Sequence, residues 1–306
     1  MQLHIILNEL AGSGRGGKRW RSWQPAIKIP YTLHTTNYRG HGFEIAQQIA
    51  QDAEQQQQAT CIVIIGGDGT IHEVINGVLH CEWITIGVMA GGSGNDYART
   101  YHTFQSVQQL LDFMQRPARK QHDCGIIKLQ KEHAFMNNCG IGFDAAVTKV
   151  ANDSTLKRLL GKIGLGQLSY VYYLIKQLFT FKPFELTITK DGEQHIFHNV
   201  WLATVCNQPY FGGGMKLSPL SKTDDHMLEV IVVHNISAIK LLLLFMTIFS
   251  GTHIRLKEVT QLTGQKFQLT HSEELLCQAD GEILTVPNKQ LQFHVNPLSW
   301  YATKNE

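Results

Sequence analysis

Three glycine-rich stretches carry the residues of this 306-residue chain that can do chemistry on a phosphate. The run Gly66, Gly67, Asp68, Gly69, Thr70 follows the β-branched segment Cys61 to Ile65. It leads straight into Ile71 to Leu79, where Ile71, Val74, Ile75 and Val78 recur at helical spacing. Glycines let a backbone approach a phosphate closely, and a helix start turns free N–H groups and its positive dipole end toward it. Asp68 can hold a magnesium ion against the same phosphates, directly or through water. A tight turn with a capping Asp would explain one glycine and the acid, but not three glycines around one acid.

The second such stretch, Gly91 to Asp96 (GGSGND), follows the strand-like Ile84 to Met89 and precedes a helical Tyr97 to Tyr101. It offers the Ser93 hydroxyl and the polar groups of Asn95 and Asp96. The third, Gly12 to Lys18 (GSGRGGK), matches two phosphate motifs in part and fails both. Gly12, Gly14 and Gly17 fit a dinucleotide fingerprint, but no acid occurs between Glu9 and Glu44 to bind a ribose. Gly12, Gly17 and Lys18 begin a P-loop, but Arg19 stands where a Ser or Thr is needed. A phosphate-contacting loop and a plain surface loop both remain open there. Further along, Asp280-Gly281-Glu282 reads as a hairpin turn, since Asp-Gly is a common hairpin signal, or as a carboxylate presented on a rigid sheet.

The elements around these stretches sort into two kinds. Leu3 to Leu7, Cys61 to Ile65 and Ile84 to Met89 are short buried strands, with a helix over Phe43 to Gln58 and another from Ile71. That alternation implies an α/β domain with a mostly parallel sheet, whose ligands bind at the carboxyl ends of the strands. Beyond Arg116 to His122 the runs turn β-rich: Gly125 to Gln130, Phe184 to Lys190, Val200 to Cys206, Met227 to His234, Phe267 to Thr270 and Gln290 to Val295. Helical stretches at Gln167 to Phe181 and Ala238 to Ser250 interrupt them. The expected division is an α/β domain over 1–122, on which 296–306 packs back, and a β-rich domain over 123–295.

Composition narrows the class. Charged residues make up 17% and hydrophobic ones 43%, as in a folded enzyme, and the net charge of +2 is too small to argue for nucleic acid. Six cysteines at 61, 81, 124, 139, 206 and 277 show neither CxxC pairs nor zinc spacing, so free thiols in a reducing cytoplasm are expected. The start, MQLHIILNEL, lacks the pattern of a signal peptide. The most apolar run, Leu241 to Phe249, is half the roughly 20 residues a membrane span needs and reads as a buried amphipathic helix.

Taken in series, these motifs resemble the diacylglycerol kinase catalytic-domain family, in particular its bacterial soluble lipid kinases. GGDGT-x-x-E-V-x-N-G is matched by Gly66 to Gly77, including Glu73, Val74 and Asn76. G-[TS]-x-N-D-[FY]-A-R is matched by Gly92 to Arg99, F-x-N-x-x-G-x-G-F-D-A by Phe135 to Ala145, GGGM-K-x-x-P by Gly212 to Pro219, and D-G-E by Asp280 to Glu282. The resemblance spans Asn8 to about Glu282 in the right order. It implies a nucleotide-binding α/β domain followed by a β-sandwich-like domain, and ATP with Mg2+ as cofactors. Nucleotide contacts would fall on Asn8, Thr36, Gly66, Gly67, Asp68, Gly69, Thr70, Ile71, His72, Ser93 and Asn95. Catalytic roles would fall on Glu282 as base, with Asp68 and Asp96, and a structural magnesium on Asp225 with main-chain oxygens of Lys222 and Met227. The sequence departs from the family at Glu9, where Pro is usual, and at His226, where Gly is usual; a left-handed His226 would carry strain.

A lipid acceptor, diacylglycerol or a relative, is what the resemblance implies, as part of phospholipid biosynthesis. Between Asp153 and Glu185 there is no acid, but Lys157, Arg158, Lys162, Lys176 and Lys182 interleave with leucines and aromatics. That stretch is a candidate for peripheral contact with an anionic inner membrane face, or else a core helix with solvated lysines. Relatives in the family are often homodimers. The rival readings are an NAD kinase-like enzyme, which shares GGDGT, a silent nucleotide- or lipid-binding regulator, and a Rossmann oxidoreductase, disfavoured by the missing ribose acid.

Overall fold

The computed structural model describes residues 1–91, 96–153, 175–286 and 289–301. The chain divides into two compact units, Met1–Asp123 with Pro297–Glu306, and Cys124–Asn296.

In the first unit, β1 (Gln2–Leu7) is followed by α1 (Ala11–Trp23), β2 (Thr32–Thr35), α2 (His41–Gln55), β3 (Thr60–Gly66), α3 (Asp68–Val78), β4 (Ile84–Ala90), α4 (Tyr97–Thr100) and α5 (Val107–Gln115). The strands run parallel in the order β4-β3-β1-β2. Strand β3 is buried along its whole length, so its sequence is an unbroken apolar run rather than an alternating one. Edge strand β2 reads Thr-Leu-His-Thr and is largely exposed, which left it without an apolar signal. α1 is not a loop beyond its first turn. Gly12, Ser13 and Gly14 take left-handed φ of 59°, 60° and 88°, after which the chain is helical to Trp23 with Gly16 and Gly17 buried. The expected Gly12 to Lys18 loop is therefore confined to three residues.

Strands β5 (Arg119–Lys128) and β15 (Gln290–Tyr301) carry the chain across the boundary of the units. In the first unit, Trp300 pairs with Ile86 of β4, and its indole donates to the His102 carbonyl at 3.0 Å. Tyr301 stacks on Phe104 with ring centroids 4.0 Å apart.

The second unit contains β6 (Glu132–Phe135), β7 (Asn138–Gly142), β8 (Phe184–Lys190), β9 (Glu193–Cys206), β10 (Leu228–His234), β11 (Val259–Gly264), β12 (Lys266–His271), β13 (Cys277–Ala279) and β14 (Glu282–Leu284). They pair in the order β14-β13-β7-β9-β8-β12-β15, with β10 beside β9 and β11, and β5 beside β6 and β15. Phe135, Phe184, Ile188, Val205, Val230 and Phe293 meet in its main core. The architecture is an α/β domain with a β-sandwich-like domain.

Three helices of this unit are α6 (Phe143–Asp153), α7 (Ala238–Leu244) and α8 (Thr247–Ser250). The last two correct the expectation of one buried helix at Leu241 to Phe249. The helix breaks after Leu244, and Leu243 (73%) and Met246 (69%) are exposed, as are Ile239 and Phe249. Of the basic stretch after Asp153, residues 154–174 lie outside the described residues; Leu178 is core and Phe179 is exposed. No helix among the described residues is long and apolar enough to cross a membrane.

Candidate active site

The parallel sheet of the first unit brings four loops to one edge. Asn8 follows β1, Thr36 follows β2, Gly67 and Asp68 follow β3, and Gly91 follows β4. Backbone bonds continue the ladder past the strands: the amide of Asn8 donates to Ile65 at 2.8 Å, that of Thr36 to Leu7 at 2.9 Å, and that of Gly91 to Gly66 at 2.9 Å. The GGDGT and GGSGND turns therefore start side by side. A Cβ on Gly16 would collide with the Asn8 carbonyl, so the first helix passes this edge only because residue 16 is glycine.

Gly67 is extended (φ −105°, ψ −176°) and acts as the N-cap of α3, with Asp68 the first helical residue. Asp68 thus stands at the positive end of an eleven-residue helix. Gly69 is exposed, whereas Thr70, Ile71 and His72 turn inward and are buried. The Thr70 hydroxyl accepts from Asn8 Nδ2 at 3.0 Å, and the Asn8 Oδ1 accepts from the Leu10 amide at 3.2 Å. Asn8 therefore ties the segment that leads into the Gly12 to Gly14 turn to the GGDGT loop. Ile71 belongs to the core and can offer a ligand only its main chain. Ser93 and Asn95 lie outside the described residues, while Asp96 is buried and pairs with Arg99 at 3.5 Å.

Glu73 has a role that sequence reasoning did not assign. Its carboxylate accepts from the amides of Gly40 at 2.8 Å and Gly42 at 3.0 Å, and so caps α2 from the side of α3. This fixes the Thr36 to Gly42 loop, where Tyr38 stacks on His41 with centroids 4.5 Å apart.

Glu282 lies in the second unit. Ala279 pairs with Glu282, and the two residues between them, Asp280 (φ 49°) and Gly281 (φ 88°), are both left-handed, as a two-residue hairpin requires. The Asp280 carboxylate accepts from the amides of Met136 (2.9 Å), Asn137 (2.8 Å) and Asn138 (3.2 Å). Asp280 thus anchors the turn, and Glu282 is the carboxylate carried by it, half-buried at the start of β14.

At the expected metal turn, Asp225 is exposed and its Oδ1 accepts from the Met227 amide at 3.1 Å. His226 takes the left-handed φ of 58° that a glycine would take freely. Buried Glu229 accepts from Ser221; burial pushes its pKa up, partly offset by that bond, and the Asp225 charge adds to the rise. Among the described residues no three His, Cys, Asp or Glu side chains converge. A cation there would be held by one carboxylate with main-chain oxygens and water, a donor set suited to a hard ion.

A second feature of this unit has no counterpart in the sequence reading. An apolar cavity of about 100 Å³ is lined by Val147, Leu217, Leu244, Phe245 and Ile248, with Asp144 and Thr204 in its wall. Asp144 is buried; its Oδ2 accepts from Thr204 at 3.2 Å and Gln278 at 3.3 Å. Burial pushes its pKa up to about 6, against the lowering effect of the Ala145 amide and these two side-chain donors.

Comparison with known proteins decides the family. Residues 2–127 match the diacylglycerol kinase catalytic domain, and residues 137–299 match the YegS C-terminal NAD kinase beta sandwich-like domain. The chain belongs to this lipid kinase family. A Bacillus subtilis protein provisionally named lipid kinase YtlR is 31% identical over 96% of this chain and 97% of its own. A Mycobacterium tuberculosis diacylglycerol kinase is 28% identical over 74% of each chain. In fold, a Bacillus anthracis structure provisionally assigned as a diacylglycerol kinase superposes with a TM-score of 0.75 at 22% identity, covering 99% of this chain and 95% of that one. An Archaeoglobus fulgidus NAD kinase, solved in complex with ATP, superposes at 0.54 and 9%, covering 99% and 94%. As a member of this family the chain is a phosphotransferase with an alcohol acceptor.

Proposed function

We propose that this kinase uses ATP with Mg2+ to phosphorylate a hydroxyl of diacylglycerol or a closely related lipid. The observation that carries the acceptor is the apolar cavity of the second unit, walled by leucines and phenylalanines around the buried Asp144 carboxyl and its donors Thr204 and Gln278. A dinucleotide acceptor such as NAD would call for polar lining.

In this reading the main-chain amides of Gly67 to Thr70, at the start of α3, cradle the nucleotide phosphates, and Gly91 with Ser93 and Asn95 completes the cradle. Thr36 and Asn8 border it, while His72 and Asp96 support it from within. Phosphoryl transfer asks mainly for positioning and charge neutralisation. When bound, magnesium would supply that neutralisation from beside Asp68. Glu282 accepts the proton of the lipid hydroxyl as its oxygen attacks the terminal phosphorus. The Asp225 turn, with Lys222 and Met227 carbonyls, is the proposed structural cation site. The domain division that serves this chemistry is a nucleotide domain and a lipid domain, acting from the cytoplasmic side of the membrane.

The test is label transfer from ATP in the presence of magnesium to diacylglycerol, a sphingoid base, phosphatidylglycerol or NAD. Label in the lipid extract supports the proposal, and label in NAD moves the chain to the rival enzyme class. No transfer to any acceptor makes it a silent regulator. Glu282→Gln should lower kcat by roughly 10²–10⁴-fold with KM for ATP unchanged; an unchanged rate removes Glu282 as the base.

A further inference from the structure

Helices α7 and α8 carry large apolar side chains on two faces. Inward, Leu241, Leu244, Phe245 and Ile248 line the apolar cavity. Outward, Ile239 (66% exposed), Leu243, Met246 and Phe249 face solvent, and Leu220 stands exposed on the loop whose Pro219 packs on Gly251. Single exposed apolar residues need no explanation, but five large ones in one neighbourhood do. The helices are also too short to be stable by themselves and rest on the sheet through their inward face.

Acids border the patch at Asp224 and Asp225, beyond Leu220, and at Glu258, which Lys240 neutralises; along the helices and on to Lys257 the charge is basic. From Val230 to Lys257 there is no acidic residue, while Lys240, Arg255 and Lys257 are basic. Lys240 pairs with buried Glu258 at 2.6 Å, and that ion pair ties α7 to the start of β11. Arg255 and Lys257 are exposed in the segment that follows α8. An apolar face flanked by cations fits an anionic lipid surface. It does not fit a water-soluble protein face, where charged residues of both signs are interspersed.

We propose that the outward face of α7–α8 is a membrane-docking surface, on which Leu243, Met246 and Phe249 enter the acyl boundary of an anionic bilayer. The same helices roof the cavity, so docking sets its roof in contact with lipid chains. At its present size the cavity takes part of one chain. The proposal rests on the lipid-acceptor reading but has its own readout. It adds a membrane contact at a segment whose sequence reads as a buried helix, apart from the basic stretch after Asp153.

The experiment uses the full chain and vesicles of phosphatidylglycerol mixed with phosphatidylcholine. The double variant Leu243→Ser, Met246→Ser should lower the fraction that sediments with vesicles by roughly tenfold or more, since two apolar side chains that leave water on docking are replaced by polar ones. Its activity on dispersed dioctanoylglycerol should stay unchanged, which also shows that it folds. A second variant, Met246→Trp, should show a blue shift and quenching by brominated acyl chains when vesicles are added. Sedimentation unchanged in the double variant, or emission from the introduced indole that is indifferent to brominated lipid, overturns the proposal. So does a change of oligomeric state in the double variant with vesicle binding intact, because the face would then be a contact between copies. If the wild type sediments yet phosphorylates no lipid, the lipid-acceptor reading fails and the docking surface stands.

Discussion

The dipeptide Asp-Gly occurs in both units at a candidate active-site motif, and the two copies do opposite things. At Asp68-Gly69 the backbone is helical, and the carboxylate stands at the start of α3 in the GGDGT turn. At Asp280-Gly281 the backbone is left-handed at both residues, and the carboxylate is spent on three main-chain amides of residues 136–138. The neighbours decide the difference. A β-branched strand followed by Ile71, Val74 and Ile75 drives a helix, whereas two short strands closed by two residues require the hairpin geometry. In the proposed mechanism one acid serves the chemistry; the other holds the frame that presents Glu282.

That contrast can be broken by experiment. Asp68→Asn should cost the most in activity, about 100-fold or more in kcat, with the melting temperature within a few degrees of wild type. A large loss of stability instead would make Asp68 a structural residue like its counterpart. Asp280→Ala should do the reverse and lower unfolding free energy by about 3 kcal/mol in denaturant titrations, because three amides lose their acceptor. If Asp280→Ala is as stable as wild type, the anchoring role is wrong.

A third carboxylate, Asp144, sharpens the comparison, since it is buried with two side-chain donors beside its main-chain ones. Its folded-state pKa is raised from 3.8 to about 6, so the folded state binds its proton more tightly than the unfolded one. The sign follows: the charge costs nothing below about pH 4, and stability is lost as pH rises from about 4 to 6. Asp144→Asn should remove that slope, a difference on the order of 2 kcal/mol between pH 4 and 7 by chemical denaturation. A slope that persists in the variant assigns it to another group. The smallest effect separates the two glycines. Gly281→Ala should destabilise by about 1 kcal/mol because its φ is 88° with open space for the methyl group. Gly69→Ala, in a helix, should be neutral or stabilising by up to about 1 kcal/mol. Equal signs at both sites would remove the conformational distinction.

Much of the first unit was legible from the sequence because β3 and β4 are apolar throughout and the glycine motifs sit directly after them. β2 was not, because an exposed edge strand of Thr, Leu and His has no period to read. α1 was hidden by its four glycines, which signal a loop while Gly16 and Gly17 are there for close packing at the strand ends. In the second unit, Asp144 stood inside a recognised motif, but its environment comes from Thr204 and Gln278, residues 60 and 134 positions away. Nor could Leu243 and Met246 announce their exposure. The run Leu241 to Phe249 has Thr247 as its one polar residue, so periodicity could not tell an inward leucine from an outward one.

The strand β15 returns the chain to the first unit, where Trp300 lies beside Ile86 and Tyr301 covers Phe104. During synthesis, then, the first unit emerges first and stays unfinished. Until residues near 300 leave the ribosome, β4 has an open edge and the Phe104 ring is uncovered. Such an edge invites pairing with other chains. A fragment ending at residue 123 should inherit that hazard permanently, and a chaperone that shields nascent edges should matter more to this protein than the compactness of its two units would imply.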